Sequence, residues 1–160
     1  VVDAPPGIGD AGVDLCSLAT HVVVVLSPEP TSLADAYACL KAMSARTGVA
    51  RAFVTVNGVS SPGEASETFG RLRSLVQRFL GIELVELPYV PRDDRAATAC
   101  ALGSPVVLQY PDTTSARALQ TMLNTLLRAS PSVFDHGSDD AGTSKREALV
   151  SSSMRKWDRG

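Results

Sequence analysis

The run His21-Val22-Val23-Val24-Val25-Leu26 limits the folds open to this chain more than any other stretch. It is too short to span a bilayer, and its unbroken apolar character suits a strand covered on both faces, as at the centre of a parallel sheet. A parallel sheet needs crossover helices, and a helical pattern follows at once: Leu33, Ala36, Tyr37, Leu40 and Met43 share one face. Thr31 or Ser32 would cap that helix and Gly48 would end it, while Pro28 and Pro30 hold the preceding loop extended. His21 reads as a structural histidine, since no second His and no metal-type spacing lies near it.

The alternation continues along the chain. Upstream, residues 10–18 predict a short helix that begins at Asp10 and offers Val13, Leu15, Cys16 and Leu18 for burial. Downstream, residues 51–57 form the next strand, and Ser61-Pro62-Gly63-Glu64 is a capping box with proline at the first helical position. The helix it opens would bury Phe69, Leu72, Leu75, Val76 and Phe79 and leave Arg71, Arg73 and Arg78 in water. Residues 82–90 supply a fourth strand, 91–95 a loop and 96–102 a helix broken by Gly103-Ser104-Pro105. Residues 106–110, bounded by prolines, read as a covering segment rather than a central strand. Asp112 or Thr113 starts a last helix with Ala116, Leu119, Leu123, Leu126 and Leu127 as its core face. The order predicts an α/β fold with a doubly wound, mostly parallel sheet over residues 1–128. Residues 129–144 have the composition of a flexible linker. Residues 145–160 form a basic tail whose Leu149, Val150, Met154 and Trp157 would align on one side of a helix, suited to an anionic membrane surface or else disordered.

Bulk properties narrow the function. A net charge of −2 and few aromatic residues argue against direct nucleic-acid binding. Cys16, Cys39 and Cys100 show no C-x-x-C spacing and read as reduced core thiols of a cytoplasmic protein. The chain opens with Val rather than Met, inside what reads as a strand, so an N-terminal truncation is expected.

Chemistry collects where strands end. Val1 and Val2 read as the last residues of a buried parallel strand, which places Asp3 at its carboxyl end, where open α/β sheets bind ligands. A carboxylate there can hold Mg²⁺ through its water shell, and Gly7 and Gly9 let backbone N–H groups approach a phosphate. This is the form of a Walker B strand with a switch loop, although the same residues also suit an ordinary strand exit. Glu29, between two prolines, sits at the same sheet edge or is simply a solvated loop charge. Asn57 could read a nucleobase edge, or Asn57-Gly58 could be a common turn. The loop with Pro91, Arg92, Asp93 and Asp94 completes the edge.

On these residues the chain resembles a known family. VVDAPPGIGD resembles the Asp-x-x-x-Gly-Ile switch of MinD/ParA-class P-loop ATPases, and SPEPTSLADAY is similar to a segment of their flagellar branch, the FlhG (FleN, YlxH) proteins. VNGVSSPGEASETFGRLRSLVQRFL and LPYVPRDDRAATACALGSPVVLQYPDTTSARAL extend the resemblance to about residue 127. It implies an ATP-dependent dimer and membrane switch that sets flagellum number and placement. It places Asp3 at the Mg²⁺ site, Gly7 near the γ-phosphate, Asn57 with Pro91, Arg92 and Asp93 around adenine, and Glu29 and Asp35 at the dimer interface. Implied partners are the FlhF GTPase, flagellar switch proteins or a flagellar transcription regulator, with the protein peripheral at the inner face of the cell membrane. Departures from the family are the missing Gly-Lys-Thr phosphate loop, Pro6 in the switch and Gly58 where Met is frequent. These residues alone are therefore expected to bind ATP poorly. The alternatives are a cell-division MinD, a ParA-type ATPase or a nucleotide-independent interaction module, while the missing C-x-x-C argues against an iron–sulfur carrier.

Overall fold

The computed structural model describes residues 1–4 and 9–129. Pro6 and Gly7 lie outside the described residues, as do Leu149, Val150, Met154, Trp157 and the rest of the expected tail and linker beyond Ala129. Among the described residues four strands make the sheet: β1 Val23–Leu26, β2 Arg51–Val59, β3 Glu83–Glu86 and β4 Val90–Pro91. All pairings are parallel, and each runs to β2. β1 pairs from Val23↔Phe53 to Leu26↔Val56, β3 from Arg51↔Glu83 to Val54↔Glu86, and β4 at Asn57↔Val90 and Val59↔Pro91.

Successive side chains of a strand point to opposite faces, and β2 thereby serves two cores. Val54 and Val56 join Leu26, Leu40, Leu72 and Val76 in the larger one, beneath the helices α2 Pro30–Thr47 and α3 Pro62–Phe79. The helix α1 Asp10–Leu18 adds Val13 to it, and Arg46 of α2 bonds Asp14 of α1 at 2.9 Å. Phe53 turns the other way and packs with Leu87 and Met122, the last from α6 Thr114–Ala129. Helices thus cover both faces, and the doubly wound α/β class expected from sequence is what forms. Between β4 and α6 lie α4 Asp94–Ala101 and the short α5 Val106–Gln109. Among the described residues no helix is long and apolar enough to cross a membrane.

Local signals read from sequence act as chemistry requires. Ser61 Oγ accepts from the Glu64 N–H and the Glu64 carboxylate accepts from the Ser60 N–H, a closed capping box. Thr113 Oγ1 accepts the Ala116 N–H at the start of α6, and α2 ends at Gly48, whose φ of 65° favours glycine.

Several expectations are corrected. β1 is an edge strand with Val23 and Val25 exposed, because no strand pairs its outer edge and no helix covers that part of the second face among the described residues. Val1 and Val2 are exposed and lie outside the sheet formed by the described residues. The strand expected over 82–90 splits at Pro88, which has no N–H to donate; its carbonyl instead accepts from the buried Thr55 hydroxyl at 2.8 Å. On α3, Ala65, Thr68, Phe69, Leu72 and Val76 form the buried stripe, with Leu75 on its flank. Phe79 stands at its exposed end under the Arg78 guanidinium, 5.2 Å away. On α6 the buried face is Ser115, Ala116 and Met122. Each i,i+4 step advances about 40° around a helix of 3.6 residues per turn. Leu119, Leu123 and Leu127 accordingly drift off the core and are 36%, 54% and 63% exposed. Cys100 is exposed rather than a core thiol; Cys16 and Cys39 are half-buried. Burial pushes both of those thiols up, reinforced at Cys16 by neighbouring Cys39, which disfavours reactive thiolate.

Candidate functional site at the carboxyl edge of the sheet

The parallel strands deliver their following loops to one edge. β1 leaves at Leu26, whose register partner is Val56, so Ser27 to Glu29 emerge beside the end of β2. Ser32 Oγ accepts the Ser27 N–H at 2.9 Å, closing this loop instead of capping α2. Glu29 takes the N-cap position without a side-chain cap bond; Glu29 and Asp35 are both exposed.

β2 does not turn at Asn57-Gly58. It continues to Val59 through Gly58, whose φ of 75° is the left-handed conformation that glycine adopts without strain, and the pairing with β4 shifts register there. Asn57 is held at the edge with an exposed side chain whose amide carries both donor and acceptor. Its register partner Val90 leads directly into Pro91, Arg92 and Asp93, and the Arg92 N–H donates to the Val59 carbonyl at 2.8 Å. Asn57 and the 91–93 loop, separate in sequence, are thereby neighbours.

Asp93 is committed within the protein. One carboxylate oxygen accepts the Arg95 N–H at 2.9 Å and caps α4; the other accepts from the Ser115 hydroxyl at the start of α6. Ser115 lies 3.2 Å from Thr113 Oγ1, Thr113 donates to the Tyr110 carbonyl at 3.1 Å, and the Arg95 guanidinium stands 5.1 Å over the Tyr110 ring. The contacts close a ring that joins the β4–α4 loop to the start of α6. Sequence reading gives Thr113 only the role of a helix start and gives Ser115 none; the available signal is a second hydroxyl two residues after that start.

The Ser115 hydroxyl is the main cause that holds the Asp93 carboxyl below the usual range; burial opposes it, and the Arg95 N–H and Thr113 add lesser lowering effects. A depressed carboxyl contributes stability above its unfolded pKa and loses it as pH falls through the folded one. The difference in urea midpoint between wild type and Asp93→Asn is therefore expected to be constant near neutrality and to shrink below about pH 4.

Asp3 is exposed within residues 1–4, which carry no regular structure. Among the described residues no three His, Cys, Asp or Glu side chains converge on a metal-sized site. A parallel sheet with helices on both faces, its following loops gathered at one edge, defines a doubly wound α/β protein.

No family model matches the chain. It is 32% identical over 122 residues to antiactivator FleN of Pseudomonas aeruginosa, an alignment covering 76% of this chain and 44% of FleN. It is 30% identical over 129 residues to an ATP-binding protein of Methanocaldococcus jannaschii, covering 81% of this chain and 46% of that protein. It is 33% identical over 90 residues to the flagellum site-determining protein YlxH of Helicobacter pylori, covering 56% of this chain and 29% of YlxH. The chain belongs to the MinD/ParA family that includes these relatives, and spans less than half the length of each.

Proposed function

We propose that this chain forms the base-reading part of a MinD/ParA-type ATPase that regulates the number and placement of flagella. The observation carrying this reading is the pairing of β4 with the end of β2, which sets Asn57 opposite Val90 at the start of the segment leading to Asp93. An amide with paired donor and acceptor beside a fixed loop suits the edge of adenine. The flagellar assignment draws on the names of FleN and YlxH, and the nucleotide on the ATP-binding relative.

In this reading the remaining roles follow the family. Asp3 holds Mg²⁺ through water, consistent with a cation that takes few protein carboxylates, and Gly7 lies near the γ-phosphate. When bound, ATP would supply the phosphoryl group and Mg²⁺ would offset its charge, and hydrolysis would reset the switch. Exposed Glu29 and Asp35 face a second copy in the ATP-bound dimer, and Leu149, Val150, Met154 and Trp157 meet the inner face of the membrane. FlhF, flagellar switch proteins or a flagellar transcription regulator are the partners.

The test is genetic. Deleting the gene in its own organism is expected to change flagellar count or position, and a copy carrying Asn57→Ala is expected not to restore it. Normal flagella with misplaced division septa, or with failed chromosome or plasmid partition, would replace this reading with a division or partition role.

A further inference from the structure

We propose that Ser115 is a positioning residue for base selection: from the first turn of α6 it fixes the 91–93 loop against Asn57. The inference rests on the base-reading role of that loop. β4 is only two residues long, and beyond Val59 it has no further ladder to hold its shape. The loop that follows is anchored from two sides, by the Arg92 N–H on the Val59 carbonyl and by the Asp93 carboxylate. The first anchor belongs to the sheet. The second belongs to α6, through a serine only 1% exposed to solvent.

A hydroxyl in that position does two things. It occupies one carboxylate oxygen of Asp93, which leaves the other on the Arg95 N–H and fixes the side chain's rotation. It also packs 3.2 Å from the Thr113 hydroxyl, whose own proton goes to the Tyr110 carbonyl, so the loop is held against the start of α6. A recognition edge discriminates between bases only if its donors and acceptors stay in place, because a loose edge re-forms around either purine. Ser115 touches no base in this scheme; it acts through Asp93.

The experiment titrates the chain with AMP and GMP and follows the amide resonances of Asn57 and Arg92. Wild type is expected to prefer AMP by about tenfold, the scale of one well-made hydrogen bond, and Ser115→Ala to reduce the preference to about twofold. Ser115→Cys, of similar shape but a weak donor, is expected to fall between, and serves if the alanine variant does not fold. Met122→Ala loosens α6 packing without touching the hydroxyls and is expected to keep the preference, which a merely structural role for Ser115 does not predict. A wild-type chain that binds neither nucleotide at millimolar concentration, or binds both alike, would overturn the base-reading role and this inference together. A clear wild-type preference that survives Ser115→Ala, or that Met122→Ala abolishes equally, would overturn the positioning role alone.

Discussion

Replacing Leu72 by alanine is expected to lower the unfolding free energy by about 2–5 kcal/mol, the range for removing a fully buried leucine from a packed core. Leu72 is 0% exposed and lies in the larger cluster with Leu40, Met43, Val54 and Val76, where α3 meets the sheet. The cost has two parts: the lost transfer of the removed carbons from water, and the cavity that close-packed neighbours fill only partly. Against a total stability of about 5–15 kcal/mol for a domain of this kind, such a loss shifts the urea midpoint by a large fraction. Leu75→Ala, one turn along and on the flank of the stripe, is expected to cost far less. Equal losses at the two positions would show that the buried stripe of α3 is assigned wrongly.

The second large effect concerns the opposite face. Phe53→Ala is expected to cost about 3–5 kcal/mol, and to release α6 before the rest of the molecule. Phe53 packs with Leu87 and Met122, stacks on His21 at a centroid distance of 5.1 Å and carries the Arg51 guanidinium at 5.9 Å. This second cluster is small, so one aromatic ring is a large share of what holds α6 to the sheet. Amide hydrogen exchange would read it directly. Exchange in α6 is expected to accelerate more than exchange in α3, and a uniform acceleration would contradict the division into two cores.

These two positions also show what could be read from sequence and what could not. Leu72 sits in a helix framed by a capping box, and its period marks it as buried with no tertiary information. The register of the sheet is different. That Asn57 stands beside Val90 depends on pairing between residues far apart in the chain, and no local pattern encodes it. Asn57-Gly58 has the composition of a turn, yet β2 runs through it because the parallel neighbour β4 supplies ladder bonds. Leu123 and Leu127 fall at core-like spacing, but spacing cannot say which arc of the helix the sheet will cover. The edge loops were legible as a set of strand ends. Their assembly around Asp93 and Ser115 was not, because a serine in a first helical turn reads locally as nothing more than part of a cap.

The hub position of β2 has a further consequence, for the time course of folding. Val23 meets Phe53 and Ala52 meets Leu84, so each ladder closes a loop of about thirty residues, and no pair of strands can form as a local hairpin. The intervening helices α2 and α3 shorten those loops if they form first, each with its own start signal. Single-domain refolding is thus expected on the intermediate timescale of mixed α/β domains, slower than helical bundles, with β2 required in every productive nucleus.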